Sequence, residues 1–111
     1  MLALLKLDGN DIYISHGDTL DITFRVGGYK LQPTDKVIFS VKNTANSSEI
    51  LISKTITNFP ANSVHVIIPA SEMGTLPIGK KVYDLLCVSG DKKTTFNFPA
   101  SLIIMGVVHN E

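Results

Sequence analysis

The sequence predicts a single all-β domain covering residues 1–111, an immunoglobulin-like antiparallel β-sandwich of about eight strands. Three observations lead to this prediction. Apolar and polar residues alternate along several short segments, as they do in strands with one buried face. Glycine, proline and aspartate residues separate those segments at short intervals. No stretch has the periodicity of a long helix, so βαβ units are not expected.

Two segments with regular alternation define the predicted core. The first runs from Thr19 to Val26 and the second from Lys36 to Asn43, and Gly27-Gly28 and Pro33-Thr34-Asp35 supply turns between them. The residues expected to face inward are Leu20, Ile22, Phe24 and Val26 in the first segment and Val37, Phe39 and Val41 in the second.

The remaining predicted strands follow the same pattern more loosely. They are Glu49–Thr57, Ser63–Pro69, Lys81–Val88 and Thr94–Phe98. Pro69 lacks a backbone donor and therefore ends its strand, and Ala70–Met73 is predicted to form one helical turn. Gly79 closes a turn that leads into the next strand, and residues 89–92 form a hairpin loop.

The first and last segments, Met1–Leu7 and Leu102–Val108, are apolar at nearly every position, so both of their faces are expected to be covered. Two arrangements would cover both faces of these strands. The strands could pack beneath loops or as a central pair, or they could line an oligomer or docking interface. The residues predicted for that interface are Leu2, Leu4, Leu102, Ile103, Ile104, Met105 and Val107.

The charge balance argues against several classes of partner. Ten lysine and arginine residues offset ten acidic residues, so a nucleic-acid-binding surface is not expected. No apolar run approaches the roughly 18 residues of a membrane span, and the first residues do not form a signal peptide. A net charge near zero favours self-association, so we expect a homo-oligomer.

The polar residues do not predict an enzyme. Ser15-His16-Gly17-Asp18 contains the residue types of a hydrolytic triad, but neighbours on one turn cannot align a nucleophile, a base and an orienting acid. Cys87 lies in an apolar segment and is expected to be a small buried residue. No catalytic residue is therefore assigned.

Neither a metal site nor a cofactor site is predicted. His65 and His109 lie in separate segments, and the aspartates lack the spacing of a calcium loop. The pairs Lys80-Lys81 and Lys92-Lys93 flank one strand and are expected to be solvated strand ends.

Four short motifs occur in an order that resembles a known family. They are Gly17-Asp18-Thr19 before a strand, Ile68-Pro69 at a strand end, Leu76-Pro77-Ile78-Gly79 at a turn, and Tyr83-Asp84 in the following strand. This order is similar to that of the N-terminal domain of the phage baseplate upper protein, over roughly residues 10–108. Lys81 stands where that family often has an aromatic residue. Tyr83 is expected to form a tyrosine corner with a buried ring.

The resemblance implies a structural role in a virion, with other phage structural proteins as partners and assembly in the bacterial cytoplasm. A carbohydrate-binding module is the alternative, although the chain has no tryptophan and only Tyr13 and Tyr29 are expected to lie outside the core. An enzyme of unfamiliar type would require polar groups that converge in a pocket.

Overall fold

The structure is a computed structural model that describes residues 6–8, 11–26, 29–44 and 46–106, with no side-chain description at 6–8 and 96–99. The described strands are β1 Lys6–Asp8, β2 Asp11–Ser15, β3 Leu20–Arg25, β4 Lys36–Lys42, β5 Ile52–Ile56, β6 Ser63–Ile68, β7 Gly79–Ser89 and β8 Lys92–Met105. The loop between β5 and β6 contains a 3-10 turn at Pro60–Asn62. An α-helical turn, α1, spans Ala70–Met73 between β6 and β7, as the sequence predicts.

The strands form two packed sheets. The larger sheet has the order β1-β2-β8-β7-β4-β5, and the smaller sheet pairs β3 with β6. Neighbouring strands are antiparallel except β2 and β8, which run parallel. The chain crosses between the sheets after β2, β3, β5 and β6, as in immunoglobulin-like sandwiches. The prediction of an all-β sandwich is therefore confirmed.

The core lies between the two sheets and is built by alternation. Every second residue of β3, β4 and β6 points inward because successive side chains of a strand lie on opposite faces. The structure buries Leu20, Ile22, Val37, Phe39, Val41, Val64, Val66 and Ile68, and it leaves Phe24 half-buried at the border of the core.

Three aromatic rings meet at the centre of the core. The ring centroids of Phe39 and Tyr83 are 5.3 Å apart, and those of Phe24 lie 6.3 Å from Phe39 and 5.9 Å from Tyr83. All three pairs are tilted, with angles of 32°, 39° and 33° between the ring planes, and their separations are those of favourable aromatic pairs. The predicted burial of Tyr83 on β7 is observed, with a ring only 2% exposed.

The connection from β6 to β7 closes one end of the sandwich. Pro69 follows the last residue of β6, and its carbonyl accepts hydrogen bonds from the backbone N–H groups of Glu72 and Met73. This turn buries Met73 and Leu76 against the core. The chain then enters β7 at Gly79, whose φ of 137° lies in a region that favours glycine.

The end of the chain differs from the prediction. The segments Thr94–Phe98 and Leu102–Val108 were predicted as separate strands, but β8 runs without a break from Lys92 to Met105. The register against β7 shifts from Tyr83 opposite Ala100 to Leu85 opposite Asn97. This irregularity accommodates Pro99, which has no N–H to give to a regular ladder.

Lys81 is also placed differently from the expectation of a solvated strand end. It occupies an inward position of β7, two residues before Tyr83, and is only 7% exposed. The strand alternation fixes this orientation, and the long aliphatic stem of lysine can pack on apolar neighbours.

Burial of Tyr83 leads to a prediction about alkaline pH. Desolvation of the side chain, with a contribution from the negative charge of Asp11, raises the pKa of Tyr83 to about 12 from the ordinary value of 10.0. The folded chain therefore holds this proton more tightly than the unfolded chain, so stability should fall as pH rises from 10 to about 12, by up to roughly 2–3 kcal/mol. Urea unfolding at a series of pH values measures the slope. Tyr83→Phe should reduce that slope, and an unchanged slope in the variant would contradict the assignment.

Candidate functional site

The two predicted terminal interface strands are only partly described. Leu2, Leu4 and Val107 lie outside the described residues. Leu102 and Ile104 are fully buried between the sheets, so their assignment to an interface is wrong: the alternation of β8 turns them toward the core. Ile103 and Met105 point to the opposite face of the sheet and are half-buried there.

These two residues belong to a group of half-buried apolar side chains on the outer face of the six-stranded sheet. Ile103 lies opposite Tyr13 of β2 on one side, and Leu86 of β7 lies opposite Ile38 of β4 farther along the same face. We call this surface the outer sheet face. Its half-buried apolar residues are Tyr13, Ile38, Val82, Leu86, Val88, Ile103 and Met105.

An acidic residue lies in the middle of the outer sheet face. Asp84 stands opposite Ser40 in the register of β7 and β4 and is half-buried. Burial raises the pKa of its carboxyl above the ordinary value, and the nearby positive charge of Lys42 lowers it in part. Asp84, together with Ser40 and Lys42 of β4 on the same face, thus forms a polar region among the apolar residues at which a partner could be oriented.

A second group of polar residues is buried beneath the connection between β3 and β4. The hydroxyl of Tyr29 donates to Oδ2 of Asp35 at 3.2 Å, and the thiol of Cys87 donates to the Tyr29 hydroxyl at 3.9 Å. The backbone N–H of Gln32 also donates to Oδ2 of Asp35, at 3.0 Å. Tyr29 packs against the core, so the expectation that it lies outside the core is wrong.

The carboxylate of Asp35 in this cluster is stabilised in its charged form and has a structural role. The backbone N–H of Gln32, followed by the hydroxyl of Ser89, holds the pKa of Asp35 below its ordinary value. Asp35 is 1% exposed, and its Oδ1 atom has no hydrogen-bond partner among the described residues. The carboxylate therefore holds the loop that precedes β4 through Gln32 and Tyr29, and Tyr29 in turn contacts Cys87 on β7.

The state of Cys87 can be tested by thiol labelling. Burial raises the pKa of the Cys87 thiol, an effect that the hydrogen bond to Tyr29 reduces and the charge of Asp35 increases. At pH 8 the native chain should react with a disulfide reagent roughly 100-fold more slowly than the unfolded chain. Labelling in guanidinium is the control, and equal rates in both conditions would contradict the buried position.

The turn that contains Ser15, His16 and Asp18 has a structural explanation. The Ser15 hydroxyl is buried without a hydrogen-bond partner among the described residues, while the backbone N–H of His16 donates to the carbonyl of Met105. The N–H of Asp18 closes the turn on the carbonyl of Ser15, and Gly17 adopts a φ of 83°. These groups connect β2 to β8 and lead the chain into β3.

One open groove lies at the end of the sandwich where β5 ends and β4 begins. Its volume is about 200 Å³, and its lining residues are Leu31, Gln32, Pro33, Thr57, Asn58 and Phe59. The groove combines one half-buried aromatic ring with two amide side chains, which are the groups that contact sugars.

Within the described part of the chain, no three histidine, cysteine or acidic side chains come together in a way that could hold a metal ion. No helix in the same residues has the length and apolar character needed to cross a membrane. His65 is exposed on β6, as predicted, and its Nε2 atom lies 2.5 Å from Oδ1 of Asp21.

These observations define the class of protein: an immunoglobulin-like β-sandwich with a half-buried apolar sheet face and a loop held by a buried carboxylate. No protein-family model matches the sequence, and a search of curated proteins finds no match.

Proposed function

We propose that this chain is a non-enzymatic structural module of a phage or prophage tail baseplate, or of a tail-fibre attachment, and that it acts through protein–protein contacts. The observation that carries the proposal is the outer sheet face. A half-buried apolar surface on the larger sheet suits the apolar centre of a subunit interface, and the polar Asp84 within it gives an approaching partner a preferred orientation.

The positions of the recognised motifs support the same role. Gly17-Asp18-Thr19 leads into β3, Pro69 separates β6 from α1, and Gly79 opens β7 with the buried Tyr83 behind it. In the baseplate family that the sequence resembles, the same motifs occupy a strand entry, a strand end and a corner. The order of the motifs and their places in the sandwich are therefore consistent with a common design.

The residues that could have suggested catalysis perform other tasks. The hydroxyl of Ser15 is buried, and the thiol of Cys87 is buried with a raised pKa. A protonated, inaccessible thiol is a poor nucleophile. The positions of Ser15 and Cys87 are thus consistent with a role that depends on surface contacts.

The experiment that tests the proposal asks whether the chain is part of a particle. Tailed particles from the bacterium or phage that encodes the chain are purified on a density gradient and analysed by quantitative mass spectrometry. We expect the chain at a fixed ratio to the known tail subunits. Particles that lack the chain, while it is abundant in the lysate, would overturn the proposal.

A pair of variants tests the role of the outer sheet face. Ile103→Lys places a charge in the middle of the face, and Thr55→Lys places the same charge on the exposed edge strand β5 of the same face. Because burying an unpaired lysine is costly, Ile103→Lys should reduce incorporation at least roughly tenfold, and Thr55→Lys should be incorporated normally. Equal incorporation of both variants would exclude this face as the contact.

The alternative function is a carbohydrate-binding module for adhesion to the host cell surface, and the groove is the observation that favours it. The Phe59 ring with the amides of Gln32 and Asn58 could stack on a sugar ring and bond its hydroxyls. A glycan array tests this function. Binding that is lost in Phe59→Ala and kept in Ile78→Ala, an exposed residue beyond the opposite end of the sheet, would favour the alternative.

A further inference from the structure

The two-stranded sheet leaves one edge of β3 open. Within the described residues β6 is the only strand that pairs with β3. The backbone N–H of Val26 donates to the carbonyl of Asn62 at 3.2 Å, in the register that places Phe24 opposite Val64. Hydrogen-bonded pairs recur at every second residue of an antiparallel ladder. The main-chain groups of Leu20, Ile22 and Phe24 therefore point toward β6 as well.

It follows that the alternate residues of β3 direct their N–H and C=O groups away from β6. These residues are Asp21, Thr23 and Arg25, and their side chains are exposed on the outer surface of the sheet. No strand among the described residues pairs with this edge. Such an edge is a template for a further strand.

The charges on this edge are self-complementary. Asp21 and Arg25 stand at equal distances along the chain on either side of Thr23. If a second copy of β3 ran antiparallel to the first with the two-fold axis at Thr23, each Asp21 would lie opposite Arg25 of the second copy. Opposite charges and threonine pairs at such positions each stabilise a sheet by roughly 0.2–1 kcal/mol. Arg25 forms no ion pair among the described residues, and Asp21 uses only Oδ1 to contact His65.

The inner side of the same edge is complementary too. The register centred on Thr23 places Ile22 opposite Phe24 of the second copy and Leu20 opposite Val26. Phe24 and Val26 are half-buried residues that pack at the border of the core. A second strand along this edge would cover the part of their surface that still contacts solvent.

We propose that two copies of this chain pair through β3, antiparallel and about a two-fold axis at Thr23, to form a continuous four-stranded sheet β6-β3-β3-β6. This inference goes beyond the proposed function, because it depends only on the geometry of the edge and holds for a chain in any setting. Isologous pairing of this kind is closed, so it yields a dimer and no longer polymer.

Charge reversal tests the proposed register. Light scattering after size-exclusion chromatography, over a roughly hundredfold range of concentration, measures the dimer affinity of the wild-type chain and of variants. Arg25→Asp and Asp21→Arg each place like charges opposite one another and should weaken the dimer at least tenfold. The double variant with both changes restores opposite charges and should recover most of the affinity. Lys30→Asp, at an exposed loop residue, is the control for net charge and should have no effect.

These measurements have three results that would contradict the proposed β3 dimer. A wild-type chain that stays monomeric at every concentration overturns the proposal, and so does a double variant no tighter than the single variants. A dimer that none of these changes affects places the contact elsewhere, for example on the outer sheet face. Neither result bears on incorporation into particles, which tests the proposed function separately.

A backbone variant gives a second readout. Proline is tolerated at strand positions whose N–H points away from the neighbouring strand, and Thr23 is such a position on β3. Thr23→Pro should therefore keep the far-ultraviolet circular dichroism spectrum of the folded chain but abolish the dimer. A folded Thr23→Pro variant with wild-type dimer affinity would exclude pairing at this edge.

Discussion

Replacing Phe39 by alanine is expected to lower the free energy of unfolding by about 3–5 kcal/mol. The side chain is fully buried and lies at the centre of the sandwich, where its ring contacts Phe24 and Tyr83. The substitution removes the burial of the ring and leaves a cavity that rigid neighbouring strands cannot fill. Chemical unfolding followed by circular dichroism measures the loss.

Matched variants separate the cavity from a general loss of apolar surface. Phe39→Leu keeps most of the volume and should cost about 1–2 kcal/mol. Ile67→Ala removes an apolar side chain that is 52% exposed and should change stability by less than about 0.5 kcal/mol. A Phe39→Ala variant within 1 kcal/mol of the wild type, by the same measure, would contradict the central position of this ring.

Asn62→Ala is expected to cost about 2–4 kcal/mol, although the residue lies in a loop. Its Oδ1 atom accepts a hydrogen bond from the N–H of Leu31 at 2.7 Å, and its Nδ2 atom donates to the carbonyls of Val26 and Tyr29, each at 2.8 Å. One side chain thus holds the first part of the connection between β3 and β4, from Val26 to Leu31. Its φ of 57° adds to the cost, because alanine tolerates the left-handed region less well than asparagine.

A second substitution separates the loss of the hydrogen bonds from the strain in the backbone as causes of this destabilisation. Asn62→Gly removes the same bonds but relieves the backbone, so it should be less destabilising than Asn62→Ala by roughly 1 kcal/mol. Asn58→Ala, at an exposed neighbour, is the control. Unfolding free energies that are equal for wild type and Asn62→Ala would show that the loop does not depend on this side chain.

The strands could be predicted from the sequence because the alternation of apolar and polar residues is a local pattern. The alternation of apolar and polar residues in Thr19–Val26 and Lys36–Asn43 shows directly which side chains face the core. The structure has strands β3 and β4 in these two segments, with bounds that differ by one residue at some ends. The helical turn after Pro69 was accessible for the same reason: a residue without an N–H donor marks the strand end.

The features that sequence reasoning missed depend on pairing between distant residues. The contact of Tyr29 with Asp35 and Cys87 joins a loop to β7, and nothing in the spacing of these residues indicates it. The inward orientation of Lys81 follows from the same alternation that places Tyr83 in the core. The prediction of a solvated strand end relied on the positive charge of Lys81 and not on this alternation. The continuity of β8 through Pro99 requires knowledge of the register shift against β7.

The parallel pairing of β2 with β8 has a mechanical consequence. Ile12 lies opposite Leu102 and Ser15 opposite Met105, so the two strands run side by side in the same direction. Tension applied to the chain at Lys6 and at Gly106 would first peel β1 from β2, since that pair is short and antiparallel. The load would then act along β2 and β8, where all hydrogen bonds of the pair resist sliding at once. We therefore expect a high force to be needed to unfold the sandwich when it is stretched along these strands.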